Sequence, residues 1–234
     1  MTSFAHLAAG HGLRKLLRRI VRPAWLGTLR RTTPLSDNWG NDRGTPTDRY
    51  YIERFLDSHK RDIRGHALEV QDSTYSDRYG SEVKQVDVLD VLPTNPRVTI
   101  IADLSAADVI PSNSFDCFIL TQTLQLIYDV RSAIAHSHRI LRPGGVLLVT
   151  VPSVTRVGRE SGTTGDYWRF TVESCSLLFG ERFGAENVAV RSYGNVLSAI
   201  AFLAGMAQEE LSRKELEFND ESFPLIIAVR ALKR

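Results

Sequence analysis

Polar side chains that could bind a ligand follow two apolar runs of this chain. Thr121 and Gln122 come directly after the run at residues 115–120, and Ser153 follows the run at residues 146–151. Short apolar runs of this kind are typical of strands that a parallel sheet buries on both faces. Ligands of open α/β sheets bind at the carboxyl ends of the strands. We therefore expect hydrogen-bonding chemistry where these two runs end.

The two runs belong to one strand–helix–strand pattern. Between them, Ala133, Ile134 and Ile140 give a helix one apolar side. The residues Arg142-Pro143-Gly144-Gly145 predict the end of that helix, because proline and glycine are the usual helix breakers. Residues 115–152 therefore predict one βαβ unit.

Further apolar runs extend the pattern in both directions. Strands are predicted at residues 67–70, 83–88 and 98–102 before this unit, and at residues 188–190 and 225–229 after it. Helices are predicted at residues 47–63, 171–179, 196–207 and 208–217. Seven strands with alternating helices predict the α/β class.

The ordered run at residues 115–152 resembles the fourth and fifth strands of class I S-adenosylmethionine-dependent methyltransferases, in particular the type 11 methyltransferase-domain family. The matching residues are Phe115-Asp116, Asp129 and Leu141-Arg142-Pro143-Gly144-Gly145. The family's Leu-Glu-His after the fourth strand reads Leu124-Gln125-Leu126 here. The resemblance covers roughly residues 45–231. It implies a Rossmann-like, mostly parallel sheet of strand order 3-2-1-4-5-7-6 with an antiparallel last strand.

The resemblance also implies S-adenosyl-L-methionine as the cofactor and assigns residues to it. Asp87 and Asp90 both qualify to hold the ribose, and we choose Asp87 because it lies 18 residues after Glu69, near the usual interval of about 20. Asp103 and the backbone of Leu104 are expected to read adenine. The other expected contacts are Glu69, Val70 and Gln71 at the end of the first strand, and Thr121 and Gln122 near the methyl group.

One departure from the family concerns the loop after the first strand. The family has Gly-x-Gly-x-Gly there, whereas this chain has no glycine between Val70 and Gly80. Only 12 residues separate Val70 from Val83, so the intervening helix must be a turn or two at most. A rebuilt loop binds the cofactor through Glu69 and the backbone of Gln71 and Asp72, or the domain has lost binding. The second alternative describes a non-catalytic partner or regulatory subunit.

Two segments are expected to complete an active site. In the family the segment after the fifth strand shapes the acceptor site, and here Asp166 is the expected base and Tyr167 is expected to orient the acceptor; packing alone is the alternative for Tyr167. Residues 43–51, before the first strand, either approach the methionine end of the cofactor or only cover the sheet. We expect an S-adenosylmethionine-dependent enzyme that methylates a hydroxyl of a sugar or natural product in secondary metabolism.

Charge and composition constrain the partners. Residues 1–31 carry seven basic and no acidic residues, while the remainder has 22 basic against 27 acidic residues. This acidic remainder argues against nucleic acid as a partner and favours a small-molecule acceptor. Cys117 and Cys175 are too few and too isolated for a disulfide framework or a metal site. With no secretory signal evident, we expect a cytoplasmic protein.

The predicted organisation is a basic helical extension and connector at residues 1–44 and a methyltransferase domain at residues 45–234. The leucines and arginines of residues 11–27 predict an amphipathic helix. That helix either lies on an anionic membrane surface or docks on its own domain or on a second copy in a homodimer.

Overall fold

In this computed structural model, residues 20–21, 26–158 and 165–234 are described. The chain divides into two compact units, Met1–Pro34 and Leu35–Arg234. The described part of the first unit contains a 3-10 turn, Gly27–Leu29. The basic helix predicted at residues 11–27 falls largely outside the described residues, so its membrane or subunit contact stays a prediction. None of the described helices is long and apolar enough to cross a membrane.

Seven strands of the second unit form one sheet of order β3-β2-β1-β4-β5-β7-β6. Strand β7 pairs antiparallel with β5 and β6, and the other pairs are parallel. This confirms the predicted order and the antiparallel last strand. The strands are β1 Arg64–Val70, β2 Glu82–Asp90, β3 Ile100–Ile101, β4 Phe115–Thr121, β5 Leu141–Pro152, β6 Val188–Tyr193 and β7 Ile226–Leu232.

Helices cover both faces of the sheet. They are α1 Thr47–Ser58, α2 Thr74–Tyr79, α3 Val130–Ile140, α4 Val172–Phe183, α5 Val196–Ala204 and α6 Arg213–Glu217. Helices α3 and α4 pack on the face that carries Leu68, Phe118 and Leu147. Helices α1, α5 and α6 pack on the opposite face, which carries Ile119 and Leu148. The helices on these faces bury the strands from both sides, as their continuous apolar runs predicted.

Helix α1 brings its N-terminus to the carboxyl edge of the parallel strands. It ends at Ser58, shortly before β1 begins at Arg64, so it runs back across the sheet relative to β1. Its first turn accordingly reaches the chain just beyond the end of β1, where Arg49 Nη1 donates to Tyr75 Oη at 2.6 Å. The first turn of α1 therefore lies at the carboxyl edge of the sheet, the edge at which ligands of such sheets bind.

Several element boundaries differ from the prediction. The proline and glycines after α3 lie within β5, which begins at Leu141 directly after the helix. The pairing jumps from Phe115–Leu141 to Cys117–Val146, so residues 142–145 bulge out of the ladder. Helix α2 has six residues, which confirms the predicted short crossover. Thr171 caps α4 by accepting from the Ser174 N–H, as its position predicted.

The compact second unit starts at Leu35, earlier than the predicted domain start at residue 45. Leu35 N donates to Ala204 O at 2.7 Å, and Arg43 pairs with Glu210 through two hydrogen bonds. The segment before α1 is therefore fixed to the chain after α5 rather than serving as a loose connector.

Candidate functional site

A cavity of about 470 Å³ opens at the carboxyl ends of β1, β2, β3 and β4. We call it the strand-end cavity. Its lining combines two carboxylates of the strand ends with apolar side chains and an aromatic from the segment after β5. The lining residues are Val70, Gln71, Leu89, Asp90, Val91, Leu92, Ala102, Asp103, Leu104, Ser105, Thr123, Leu126, Ile127, Tyr128, Asp129 and Tyr167.

Glu69 has a different position from the predicted one. Its side chain is 1% exposed and does not line the strand-end cavity. Its carboxylate accepts from the N–H groups of Tyr75 and Ser76 and from the Ser76 hydroxyl, at 2.6 to 2.9 Å. Burial raises the pKa of Glu69 to about 7, although these donors act in the opposite direction. Glu69 therefore holds the start of α2, which corrects its expected role as a direct cofactor contact.

Gln71 lines the strand-end cavity in an unusual backbone conformation. Its φ of 69° lies in the left-handed region that favours glycine. Its N–H donates to Leu89 O at 3.0 Å, and its carbonyl accepts from Asn95 Nδ2 at 2.7 Å. Contacts on both sides thus hold a glutamine in a conformation that the family reaches with glycine.

Asp90, rather than Asp87, faces the strand-end cavity. The carboxylate of Asp87 is bound instead by His66 Nε2 at 2.7 Å and by the Thr99 hydroxyl at 2.8 Å. Asp90 is the last residue of β2, and its oxygens accept from Leu92 N and Asn95 Nδ2. The choice of Asp87 is corrected because β2 runs on to Asp90, which places Asp87 within the strand.

Asp103 and Leu104, the residues expected to bind adenine, line the strand-end cavity. Asp103 also caps the turn that follows, because its Oδ1 accepts from the N–H and hydroxyl of Ser105, both at 2.8 Å. Leu104 is buried and presents an apolar wall. The pair therefore offers a carboxylate beside an apolar surface.

Thr121 and Gln122 lie at the end of β4 but do not line the strand-end cavity, whereas the next residue, Thr123, does. Gln122 has a φ of 47°, and its N–H donates to Thr150 O at 2.8 Å. Its side-chain Nε2 is buried and has no hydrogen-bond partner among the described residues. A buried, unpaired amide in a strained residue is typical of a group that a ligand completes.

The segment after β5 reaches the strand-end cavity through contacts with the loop after β4. The N–H groups of Tyr167 and Trp168 donate to Gln125 O, and the Trp168 indole donates to Ile127 O at 3.0 Å. The rings of Tyr128 and Tyr167 meet edge to face with centroids 5.4 Å apart. These contacts place Tyr167 in the cavity wall.

The carboxylate of Asp166 forms an ion pair with Arg169. Arg169 binds both its oxygens, at 2.5 and 2.8 Å, and Gly158 N donates to Oδ2 at 2.8 Å. Hydrogen bonds from Arg169 hold the pKa of Asp166 below its usual range, against the effect of burial. A carboxylate that is paired and more acidic than usual is a weak proton acceptor. The structure thus contradicts the expected role of Asp166 as base and makes it an anchor of the segment.

A second cavity of about 760 Å³ lies at the same edge of the sheet, beside β5, β6 and β7. Residues 167–171 connect the two regions, since Tyr167 lines the strand-end cavity and Thr171 lines the second cavity. Hydroxyl, carboxylate and guanidinium groups dominate its lining. The lining residues are Tyr51, Arg54, Ser153, Thr171, Val172, Glu173, Val190, Arg191, Ser192, Tyr193, Leu216, Glu217, Asn219, Glu221, Ser222 and Pro224.

The comparisons with known proteins agree with this geometry. Residues 69–149 match the family model described as a methyltransferase domain. This span runs from the end of β1 into β5 and includes the strands around the strand-end cavity. In these residues the chain is similar to the type 11 methyltransferase-domain family. The match supports a class I S-adenosylmethionine-dependent methyltransferase with S-adenosyl-L-methionine as the cofactor.

Solved structures share the fold at low sequence identity. A methyltransferase from Mesorhizobium loti has a TM-score of 0.52 at 15% identity, covering 80% of this chain and 98% of that one. One from Archaeoglobus fulgidus has a TM-score of 0.52 at 11% identity, with 79% and 94% covered. Phosphoethanolamine N-methyltransferase 2 of Haemonchus contortus, solved with S-adenosyl-L-methionine, has a TM-score of 0.53 at 16% identity, with 86% and 53% covered. No curated protein matches the chain.

The residues of the strand-end cavity fit this cofactor. Asp90 and Asp103 present carboxylates that can accept from ribose hydroxyls and the adenine amino group. Leu104 and Leu126 supply apolar walls for a flat base. The unpaired amide of Gln122 is buried at the end of β4 and does not line the cavity.

Proposed function

We propose that the protein methylates a hydroxyl group of a small molecule, of the class of sugars or hydroxylated natural products. The observation that carries the proposal is the pair of cavities at one edge of the sheet, linked by residues 167–171. The strand-end cavity would hold the cofactor and the second cavity the acceptor. A natural-product acceptor would place the reaction in secondary metabolism.

The nucleoside is assigned to the β2 and β3 side of the strand-end cavity. Asp90 would bind the ribose, Asp103 and Leu104 the adenine, and Gln71 would lie beneath the link to the methionine. This replaces Asp87 with Asp90 and leaves Glu69 in a supporting role through α2. The cofactor supplies an activated methyl group when bound.

The second cavity supports a compact, polar acceptor. A concave site of about 760 Å³ accommodates a small molecule, whereas a macromolecule needs an extended docking surface. Its hydroxyl groups, among them Ser153 and Ser192, alternate with charged groups such as Arg191 and Glu173. A lining of this kind can hydrogen-bond the many hydroxyls of a sugar-like molecule.

In an in-line displacement the acceptor oxygen would bond to the methyl carbon as the carbon–sulfur bond breaks, S-adenosylhomocysteine would leave, and the hydroxyl proton would pass to solvent water. Catalysis would therefore depend mainly on positioning the two bound molecules. Tyr167 lines the strand-end cavity, and the segment that follows it leads into the second cavity, so it would orient the acceptor oxygen. Asp166 and Arg169 would hold this segment in place through their ion pair.

An assay of the purified protein with S-adenosylmethionine tests the proposal. A panel of sugars and phenolic natural products is compared with amine analogues of the same scaffolds, and S-adenosylhomocysteine release and acceptor mass are measured. We expect turnover with at least one hydroxylated scaffold and none with its amine analogue. Turnover only with amines would overturn the choice of oxygen. Failure to bind S-adenosylhomocysteine would instead favour a non-catalytic subunit.

A substitution that fills the second cavity tests the placement of the acceptor. Ser153→Phe should abolish turnover of the identified acceptor while S-adenosylhomocysteine affinity, measured by calorimetry, stays within about twofold, because only the acceptor would be displaced. Ser176→Phe makes the same change at an exposed site of α4 outside both cavities and is the control. Full turnover in Ser153→Phe would show that the acceptor binds elsewhere.

A further inference from the structure

The connection from β1 to α2 has almost no backbone N–H group left for a ligand. A glycine-rich loop binds its ligand through such groups. Here five of the six N–H groups of residues 71–76 donate within the protein, all except that of Ser73. The acceptors are Leu89 O for Gln71, Val70 O for Asp72, Asp72 Oδ1 for Thr74, and the Glu69 carboxylate for Tyr75 and Ser76.

The cofactor brings two charged groups to this region. Its amino-acid end carries an α-ammonium and an α-carboxylate, which need an anionic and a cationic partner. With the nucleoside assigned to Asp90 and Asp103, that end would extend past Gln71 toward the start of α2, where Arg49 contacts Tyr75. Because almost all of the backbone N–H groups there already donate within the protein, side chains must bind the ammonium and the carboxylate.

The first turn of α1 carries a carboxylate and a guanidinium in adjacent positions, Asp48 and Arg49, beside the start of α2; neither of them lines the strand-end cavity itself. Arg49 donates to Tyr75 Oη at 2.6 Å and thus contacts the start of α2. Asp48 is 8% exposed, and its Oδ1 has no hydrogen-bond partner among the described residues. A carboxylate oxygen that is buried without a partner is costly, and a bound cation would remove that cost. Burial accordingly raises the pKa of Asp48, with Arg49 opposing.

We propose that Asp48 and Arg49 bind the α-ammonium and α-carboxylate groups of the cofactor's methionine. Side chains of α1 thereby perform the recognition that the glycine-rich backbone performs in the family. Tyr75 positions Arg49 by accepting its hydrogen bond. The proposal rests on cofactor binding in the strand-end cavity.

Three ligands that differ in these charged groups test the contribution of each charge to binding. S-adenosylhomocysteine carries both groups, its decarboxylated form carries only the ammonium, and 5′-methylthioadenosine carries neither. Calorimetry on the full chain gives their affinities for wild type, Asp48→Asn and Arg49→Gln. Asp57→Asn is the control, because Asp57 is an exposed residue of the same helix paired with Lys60.

We expect Arg49→Gln to weaken S-adenosylhomocysteine by about tenfold or more and to leave the decarboxylated form within about twofold. Asp48→Asn should weaken both amine-containing ligands by a similar factor. Neither variant should change 5′-methylthioadenosine affinity by more than about twofold, and this ligand also reports an intact cavity. Asp57→Asn should match wild type throughout.

Equal weakening of all three ligands would overturn the proposal, because it would show a structural effect of α1. Unchanged binding of S-adenosylhomocysteine in both variants would overturn it as well. A wild-type protein that binds none of the ligands would overturn cofactor binding itself, and the proposed function with it. A wild type that binds all three ligands with equal affinity would contradict only the assignment of Asp48 and Arg49.

Discussion

At the scale of single residues, two aspartates near the end of β2 have opposite roles although they lie three positions apart. Asp87 is bound within the sheet by His66 and Thr99, whereas Asp90 faces the strand-end cavity. The register decides this, because the end of β1 at Val70 pairs with Leu89, next to Asp90. The carboxylate that lies at the carboxyl edge is therefore that of Asp90.

Asp90→Ala should weaken S-adenosylhomocysteine by about 1–3 kcal/mol, because a charged acceptor of ribose hydroxyls is lost. Asp87→Ala should leave this affinity within about twofold and instead lower the stability of the protein, since His66 and Thr99 lose their partner. Calorimetry and thermal unfolding of both variants measure the two effects. The opposite pattern would restore Asp87 as the ribose ligand.

Glu69 makes the stability of the protein depend on pH. Burial raises its pKa from 4.5 to about 7, so the folded state holds a proton that the unfolded state releases between these values. Stability is then lost as pH rises through this window and is constant above it, with a total of about 3 kcal/mol. Glu69→Gln should remove this component, because the amide does not titrate.

Urea unfolding of wild type and Glu69→Gln at pH 5 and pH 8 measures this component. We expect the wild type to lose more stability than the variant between the two values. Glu82→Gln, at an exposed position at the start of β2, should follow the wild type. Parallel behaviour of wild type and Glu69→Gln would mean that the three donors to Glu69 keep it ionised throughout.

At the scale of elements, the end of α5 depends on a glycine for two reasons. Gly205 has a φ of 74°, and a Cβ added there would lie 2.1 Å from Ser36 O. The segment that begins at Leu35 thus approaches α5 more closely than any side chain at position 205 would permit. Gly144 in the bulge of β5 has a similar φ of 83°, but a Cβ there would meet no atom within 4 Å.

Alanine substitutions at Gly144 and Gly205 distinguish the cost of backbone strain from the cost of a steric clash. Gly144→Ala should destabilise the protein by about 1–2 kcal/mol, the cost of a left-handed alanine. Gly205→Ala should cost about 3 kcal/mol or more, because the segment before α1 must also move. Denaturant unfolding gives both values. Equal losses of stability in the two variants would show that the segment that begins at Leu35 moves away from position 205 at little cost.

Some elements followed directly from the sequence and others depended on tertiary contacts. The strands and the short α2 were predictable, because apolar runs and the spacing between Val70 and Val83 constrain them locally. The bulge at residues 142–145 was not, since it arises from pairing between β4 and β5. Proline and glycine are compatible both with the end of a helix before a strand and with a bulge within the strand, so they did not distinguish the two.

The candidate site was predictable only in part, for the same reason. Val70, Gln71, Asp103, Leu104 and Tyr167 line the strand-end cavity as the sequence indicated. Glu69 and Asp166 were misassigned because their partners, the start of α2 and Arg169, consume their oxygens. Asp90 was considered for the ribose but not chosen, and Tyr128 was missed as a lining residue. Aligning the ends of β1 and β2 would have favoured Asp90, while only the packing of Tyr167 indicates Tyr128.

At the scale of the whole molecule, one sheet carries two cavities of different chemistry along its carboxyl edge. The β1 to β4 side carries the carboxylates and apolar walls suited to a nucleoside, and the β5 to β6 side carries the larger polar cavity. With the acceptor in the second cavity, as we propose, variation beside β6 and β7 would alter the acceptor without disturbing the cofactor. This division agrees with a family model that spans residues 69–149 and does not include the second cavity.

The position of β7 has a consequence for how the protein forms during synthesis. Strand β7 follows β6 along the chain but lies between β5 and β6 in the sheet, so β6 has no strand to pair with until β7 has emerged from the ribosome. Strands β1 to β5 are complete once Pro152 has been made. Because folding proceeds from the N-terminus during translation, we expect the cofactor side to assemble first on the nascent chain and the acceptor side last. S-adenosylmethionine in the cell would then bind, and by mass action stabilise, a half-built enzyme that cannot yet receive an acceptor.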